Sequence, residues 1–236
     1  IIAGFGWRAI FAAFILFAVA GGLWIGLRQP ETLPPERRKP LRAAPLMAAL
    51  REVLGHRVIV TAMSVQALFF GILFGTLSSA QPIVDQTYGR GSAFPYWFAV
   101  VALLAGSASL LNASLVVRLG MRFLITVTLT ALAGFSAALS LFSLFAAVPF
   151  ALFIAFMTAV FFSAGLTLGN LNALALEPVG HIAGTAASLT TAIATVLAVA
   201  LAAPIGLAFD GTALPLTASV TVLCSLGVLL MRSIPR

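Results

Sequence analysis

Long apolar runs separated by short polar stretches recur seven times along the chain. They fall at roughly Trp7 to Leu27, Val58 to Ala80, Phe94 to Val117, Phe123 to Ala147, Pro149 to Leu176, Ala183 to Phe209 and Ala213 to Met231. A helix of about 20 residues crosses a hydrocarbon core of roughly 30 Å. Lipid offers no partner for exposed backbone groups, so a continuous apolar run of this length spans as a helix. The pattern predicts an all-α membrane protein of about seven transmembrane helices. The stretch from Arg28 to Arg57 differs. Four prolines between Gln29 and Pro40 predict an extended linker. Leu46, Leu50 and Leu54, with Met47 and Val53 beside them, repeat at helical spacing, and Arg42, Arg51 and Glu52 supply polar positions. Two readings fit: a short amphipathic helix on the inner membrane surface, or a solvated loop that packs a few leucines on the bundle.

Composition agrees with burial in lipid. Hydrophobic residues make up 61% of the 236 and charged residues 8%, where a soluble domain carries roughly 25% charged residues. The net charge of +7 raises nucleic acid as a partner, but a nucleic-acid binder gathers its basic residues on one face of a soluble fold. Here they sit between apolar runs. Arg28, Arg37, Arg38, Lys39, Arg42, Arg51 and Arg57 lie in the first connector, Arg118 and Arg122 in the third, and Arg232 and Arg236 in the tail. If seven helices alternate, these eleven share one side and only Arg8 and Arg90 lie on the other. That bias puts the Arg-rich connectors and the C-terminus in the cytoplasm. The single cysteine, Cys224, cannot form an internal disulfide. The opening Ile1-Ile2-Ala3-Gly4 carries neither Met nor a basic leader, and reads as the start of a piece of a longer polypeptide. The first run is too long for the apolar region of a signal peptide.

Candidate chemistry is sparse. His56 and His181 are the only histidines, with no HExxH, no cysteine pair and no GxxxxGK[ST] loop. Lys39 is the only lysine and lies in a connector, so no retinal-type Schiff base is available inside a span. No catalytic residue, metal or cofactor is predicted. Asp85, Arg90 and Asp210 belong to outer loops and Glu177 to the inner end of the fifth run, so no intramembrane carboxylate is present to relay protons. Uncharged polar groups and aromatics remain. Gln66, Phe70 and Phe74 recur every four residues in the second run, with Phe69 adjacent. Thr158, Phe162 and Asn170 share a rough stripe in the fifth, with Phe161 adjacent. An amide in hydrocarbon costs free energy unless it bonds a partner or faces water. An aromatic face with an amide suits a large apolar solute; the competing reading has the phenylalanines facing lipid or a neighbouring helix. Gly22 and Gly26, Gly71 and Gly75, and Gly165 and Gly169 form small-xxx-small pairs that let helices approach closely. Pro204, followed by Gly206, predicts a bend near the outer end of the sixth run.

Several local motifs are more specific. Gly6-Trp7-Arg8 with Phe11 opens the first run and Pro30-Glu31-Thr32-Leu33 closes it. This resembles the sixth helix of the major facilitator superfamily, and the basic connector after it resembles the central cytoplasmic loop between that family's two halves. Asn112 with Arg118-Leu119-Gly120-Met121-Arg122 resembles the turn between the eighth and ninth helices. Gly169-Asn170, Ala173-Leu174 and the run from Pro178 to Ser188 resemble the turn between the tenth and eleventh helices of Bcr/CflA-type drug:proton antiporters. The resemblance implies that residues 1–27 are the last helix of an N-terminal half, 28–57 the central loop and 58–236 a C-terminal six-helix bundle. It also implies export of drugs or small amphipathic metabolites across a bacterial inner membrane, driven by protons. Gln66, Phe69, Phe70, Phe74, Thr158, Phe162 and Asn170 would then contact substrate, and Arg118, Arg122, Glu177, Gly180 and Gly184 would serve gating or turns. The implied partners are the bilayer, a small amphipathic substrate, protons and the missing N-terminal half of the same chain, with no nucleic acid. Five helices of that half are not in this sequence, so its acidic and basic residues are not carried over, and the fragment alone is expected not to transport. Glu177 departs from the small residue expected before Pro178. It is either an ion-pair or proton site at an inner gate or a solvated carboxylate. Two other functions fit the residues less well: a sugar, amino-acid or siderophore permease of the same fold, and a non-transporting receptor or scaffold. Cysteines replacing Arg38 and Arg118 are expected to react with an impermeant thiol reagent from the same side of the membrane; reaction from opposite sides would break the alternating topology.

Overall fold

The computed structural model describes residues 6, 8–30 and 43–234. Trp7, the Glu31-Thr32-Leu33 motif, the Pro-rich linker through Arg42, and Arg236 lie outside the described residues. Two units form. The first contains α1 (Arg8–Arg28), 21 residues with arginine at each end. The Arg28 guanidinium sits 5.5 Å from the centre of the Trp24 ring, a cation–π contact that settles a charge at a helix end.

The second unit holds α2 (Ala43–Gly55), α3 (Arg57–Pro82), α4 (Phe94–Leu119), α5 (Met121–Ser143), α6 (Phe150–Leu176), α7 (Ala183–Leu207) and α8 (Leu214–Arg232). The described residues are helical with no strand, and they give six continuous apolar stretches long enough to cross a membrane. One of these, Phe150–Leu207, has 58 residues, about 87 Å if straight, far more than one crossing needs. It breaks in the 3-10 turn Glu177–Ile182, where Val179 adopts φ −125° and ψ 35°. Its arms α6 and α7, of 27 and 25 residues, both pack against α3. The chain therefore doubles back, and seven membrane-length helices result, as the hydropathy pattern predicts. α3 is the hub: it packs against α6, α7 and α8, while α4 packs on α6 and α5 on both α6 and α8.

Small residues set the closest approaches. A Cβ on Gly71 would stand 3.0 Å from the Leu201 Cβ, and one on Gly75 would stand 3.0 Å from two methyl carbons of Ile205. α3 thus presses its Gly71–Gly75 pair against α7. Gly165 of α6 meets Ala108 of α4, where an added Cβ would stand at 2.7 Å. Its sequence partner Gly169 has open space, so only one of that pair packs. The α4–α5 turn needs its glycine. Gly120 has φ 81°, which other residues rarely adopt. By contrast Gly180 and Gly184 have neither a left-handed φ nor a close neighbour. The non-helical backbone of the turn falls on Val179, next to Gly180. α7 continues through Pro204 to Leu207, because near a helix end the N–H that proline lacks removes only one of the last ladder bonds.

The ends are tied by polar contacts. At the Arg-rich end an Arg57 N–H donates to the Ser233 carbonyl at 3.0 Å, and His181 Nε2 lies 3.0 Å from Glu52 Oε1. α2 buries Ala49 and Val53, leaving Leu46, Met47 and Leu54 exposed. The helical reading of Leu46 to Leu54 therefore holds, with one edge of its apolar face docked. At the opposite end Tyr88 donates to the Val148 carbonyl at 2.9 Å, and burial pushes its phenol pKa up. Arg90 lies 4.5 Å from the centre of the Phe150 ring, and Thr87 donates to Gly211 across two loops. The Thr212 hydroxyl bonded to Asp210 holds that carboxyl below its usual pKa. Its contribution to stability is present at neutral pH and fades as acid protonates it.

Gly165→Ala is expected to destabilise the bundle by about 1–3 kcal/mol, the usual cost of overpacking. Gly169→Ala should be neutral or better, because open space and helix propensity both favour it. Thermal unfolding in detergent measures both; equal effects would show that the α4–α6 approach is not limiting.

Candidate functional site

The stripe Gln66–Phe70–Phe74 lies along α3 on positions four residues apart, which share one face. Exposure rises along it. Gln66 is 4% exposed, Phe70 half-buried and Phe74 37% exposed. The Phe70 and Phe74 rings stack at 5.9 Å with 10° between planes. Beyond Phe74 the stripe opens on a groove of about 560 Å³ between α3 and α7, lined also by Ser78, Val199, Ala202 and Gly206. That size falls within the range of sites for drug-sized molecules. At the deep end Gln66 Oε1 is buried and accepts no hydrogen bond from the described residues. An unpaired buried acceptor costs about 1–3 kcal/mol, so it marks a place where a donor is wanted.

Phe69 does not belong to this surface. It is 0% exposed and packed in the main apolar core. The adjacent position along a helix points about 100° away, which turns Phe69 inward while Phe70 stays on the stripe.

The α6 candidates divide similarly. Thr158 is half-buried and donates to the Ile154 carbonyl at 2.9 Å, so its hydroxyl is satisfied within its own helix. Phe162 is half-buried. Asn170 is buried, and its amide donates to Asn112 Oδ1 of α4 at 2.7 Å and to the Leu166 carbonyl at 2.8 Å. Both N–H bonds are thereby used inside the protein, so Asn170 serves as a clamp between α4 and α6. Thr167 of α6, and Thr76 and Ser79 of α3, are buried hydroxyls without a partner among the described residues.

At the Arg-rich end Arg118 is exposed in the last turn of α4, and the Arg122 carbonyl accepts the Thr126 hydroxyl. Glu177 is exposed at the start of the α6–α7 turn. In that region His181 Nε2 instead meets Glu52 Oε1. Sequence reading singled out Glu177 and missed this pair, since nothing in linear spacing relates positions 52 and 181.

A match to the Major Facilitator Superfamily family model runs over residues 1–203. The chain belongs to the Major Facilitator Superfamily. It is therefore a multi-pass membrane protein of a family of secondary transporters, which are not enzymes. No curated protein and no solved structure matches the chain. In a major facilitator protein the helices act as movable walls, so the division between helix-locking and open polar groups matters. Asn170 and Thr158 are locked; Gln66 is open. The described spans carry Arg only in their first or last turns and no carboxylate within α3–α8.

A double-mutant cycle on Asn112→Ala and Asn170→Ala is expected to show a coupling of about 0.6 kcal/mol, and no more than about 1.7, the range for such bonds in membranes. Additive single effects would show that the clamp contributes nothing.

Proposed function

We propose that the chain is the C-terminal part of a proton-coupled exporter of drugs or small amphipathic metabolites, of the Bcr/CflA type. On this reading α1 is the sixth helix, residues 28–57 the central loop, and α3–α8 the seventh to twelfth helices. The protein sits in the cell inner membrane with its C-terminus in the cytoplasm, as the Arg-rich connectors support. Five preceding helices complete the cavity, and alternating access comes from rocking one half against the other.

One observation carries the choice of cargo. Gln66 offers a buried, unpaired acceptor at the deep end of a stripe whose other members are two stacked phenylalanines. A solute with an apolar body and one donor, such as a protonated amine, matches this arrangement. The body covers Phe70 and Phe74, the donor meets Gln66 Oε1, and the ring faces attract a cation. A sugar permease of the same fold would need several amides and charged partners around its cargo, and the spans supply too few. On this reading proton coupling falls to the N-terminal half, which the lack of carboxylates in α3–α8 supports. Thr158, Phe162 and the arginines at 118 and 122 are supporting residues at the cavity wall and the inner turns.

The test uses the complete transporter that carries this chain. Gln66→Leu is expected to lower pH-dependent ethidium efflux about tenfold, the equivalent of one lost hydrogen bond to a charged donor, and Phe70→Ala to weaken it further. Sugar uptake without dye export, or unchanged efflux in Gln66→Leu, would overturn the reading.

A further inference from the structure

We propose that the furrow between α7 and α8 binds an anionic phospholipid, its acyl chain in the furrow and its phosphate on Arg57 and Arg232. The inference does not depend on the transported cargo. Two cavities, of about 390 and 300 Å³, meet at Leu201 of α7. The first reaches Ser64 and Leu68 of α3 and Leu230 of α8, and the second reaches Ile205 and Ala218. Leu201 is also the side chain pressed against Gly71, so the floor of the furrow is fixed by the closest α3–α7 approach. The lining is aliphatic apart from the Ser64 and Ser219 hydroxyls, and Ser219 already donates to the Pro215 carbonyl at 2.7 Å.

Length and charge select the occupant. Along α8 the furrow runs from Ala218 to Leu230, about 18 Å at the helical rise. A single leaflet contributes roughly 15 Å of hydrocarbon, half of a core of about 30 Å. The furrow therefore has the depth of one acyl chain reaching inward from the Arg-rich surface. At that surface stand two guanidinium groups. Arg232 stands in the last turn of α8, and Arg57 is drawn to that end of the helix by its bond to the Ser233 carbonyl. A guanidinium has five N–H donors, so Arg57 keeps free donors after that bond. Neither arginine has a carboxylate partner among the described residues. Glu52 is engaged with His181, Glu177 lies on the α6–α7 turn, and Asp85 and Asp210 lie at the opposite end. Two guanidinium groups without a carboxylate partner, at the end of the helix that walls an apolar slot, match a phosphate diester that bears a hydrocarbon tail. A lipid whose headgroup carries its own cation offsets the same phosphate, so the site favours phosphatidylglycerol over phosphatidylcholine. Bound there, the lipid bridges the start of α3 and the end of α8.

The purified chain in mild detergent is titrated with phosphatidylglycerol, phosphatidylcholine and inorganic phosphate. Retention in native mass spectrometry and the unfolding temperature are both recorded. Phosphatidylglycerol is expected to bind roughly 25-fold tighter than phosphatidylcholine, about fivefold per arginine, and inorganic phosphate to have no effect. The double variant Arg57→Gln, Arg232→Gln should bring the two lipids to near equality. Ala218→Trp, which fills the furrow, should weaken both lipids while leaving the arginines intact. Wild-type chain that binds the two lipids equally overturns the proposal without reference to any variant. So does a lipid preference that survives the double Gln variant, or a response to inorganic phosphate equal to that of phosphatidylglycerol.

Discussion

Hydrocarbon supplies no hydrogen-bond partner, and most other features of the bundle follow from how each polar group within it copes with that fact. Backbone groups are satisfied by helix formation. Side-chain hydroxyls follow the same solution locally: Thr61, Thr126, Ser136, Thr158 and Thr190 each donate to the carbonyl four residues back. Such groups are polar in composition but inert as sites. A smaller set is satisfied between helices. Asn170 with Asn112 links α6 to α4, and Ser140 with Thr217 links α5 to α8 at 2.9 Å. These bonds fix which helices are neighbours. A third set, with Gln66 foremost, is left without an internal partner, and it is there that a solute has something to gain.

Packing supplies what apolar burial cannot. In lipid the helices gain little by hiding leucine from solvent, so close approach through small residues takes over. Gly71 and Gly75 against Leu201 and Ile205, and Gly165 against Ala108, are points where a neighbouring helix leaves no room for a side chain. α3 presses Gly71 and Gly75 against α7, and Phe74 of its stripe borders the groove between the same two helices. The same helix thus anchors the bundle and presents the candidate surface, which ties the position of that surface to the quality of the glycine contacts.

Much of this was legible in the linear pattern. The seven spans are marked by apolar length alone, and their observed ends differ from the expected ones by a few residues. Examples are the α5 stop at Ser143, ahead of Ala147, and the extension of α3 to Pro82. The glycine pairs announce close approach, but not that Gly165 packs while Gly169 faces open space. That depends on where the neighbouring helix crosses. The aromatic stripe was legible as a spacing of four, whereas the inward turn of Phe69 depends on which side of α3 the core occupies. Asn170 shows the limit most clearly. An amide in a span has to be satisfied, but sequence leaves open whether by solute, water or another helix, and its partner Asn112 stands 58 positions away. The Glu52–His181 pair was equally hidden, since it joins a connector helix to a turn four spans later.

The distribution of charge constrains mechanism further. Work done by a secondary transporter comes from moving an ion down its gradient, and an ionisable group inside the membrane is the usual handle for that ion. In α3–α8 the charged side chains stand only in first or last turns. The bundle can therefore shape a cavity and offer Gln66 to a donor, but it has no carboxylate at depth with which to exchange a proton. If the cargo is a cation, binding between uncharged Phe70, Phe74 and Gln66 leaves its charge uncompensated on this side. A carboxylate on the facing half would then be needed both to hold the cargo and to release it on protonation. One group serving both tasks makes proton and cargo compete for a single site, which by itself is sufficient for exchange. On the proposed reading, the lack of charge in these helices supports a division of labour between two halves, with apolar recognition here and coupling opposite.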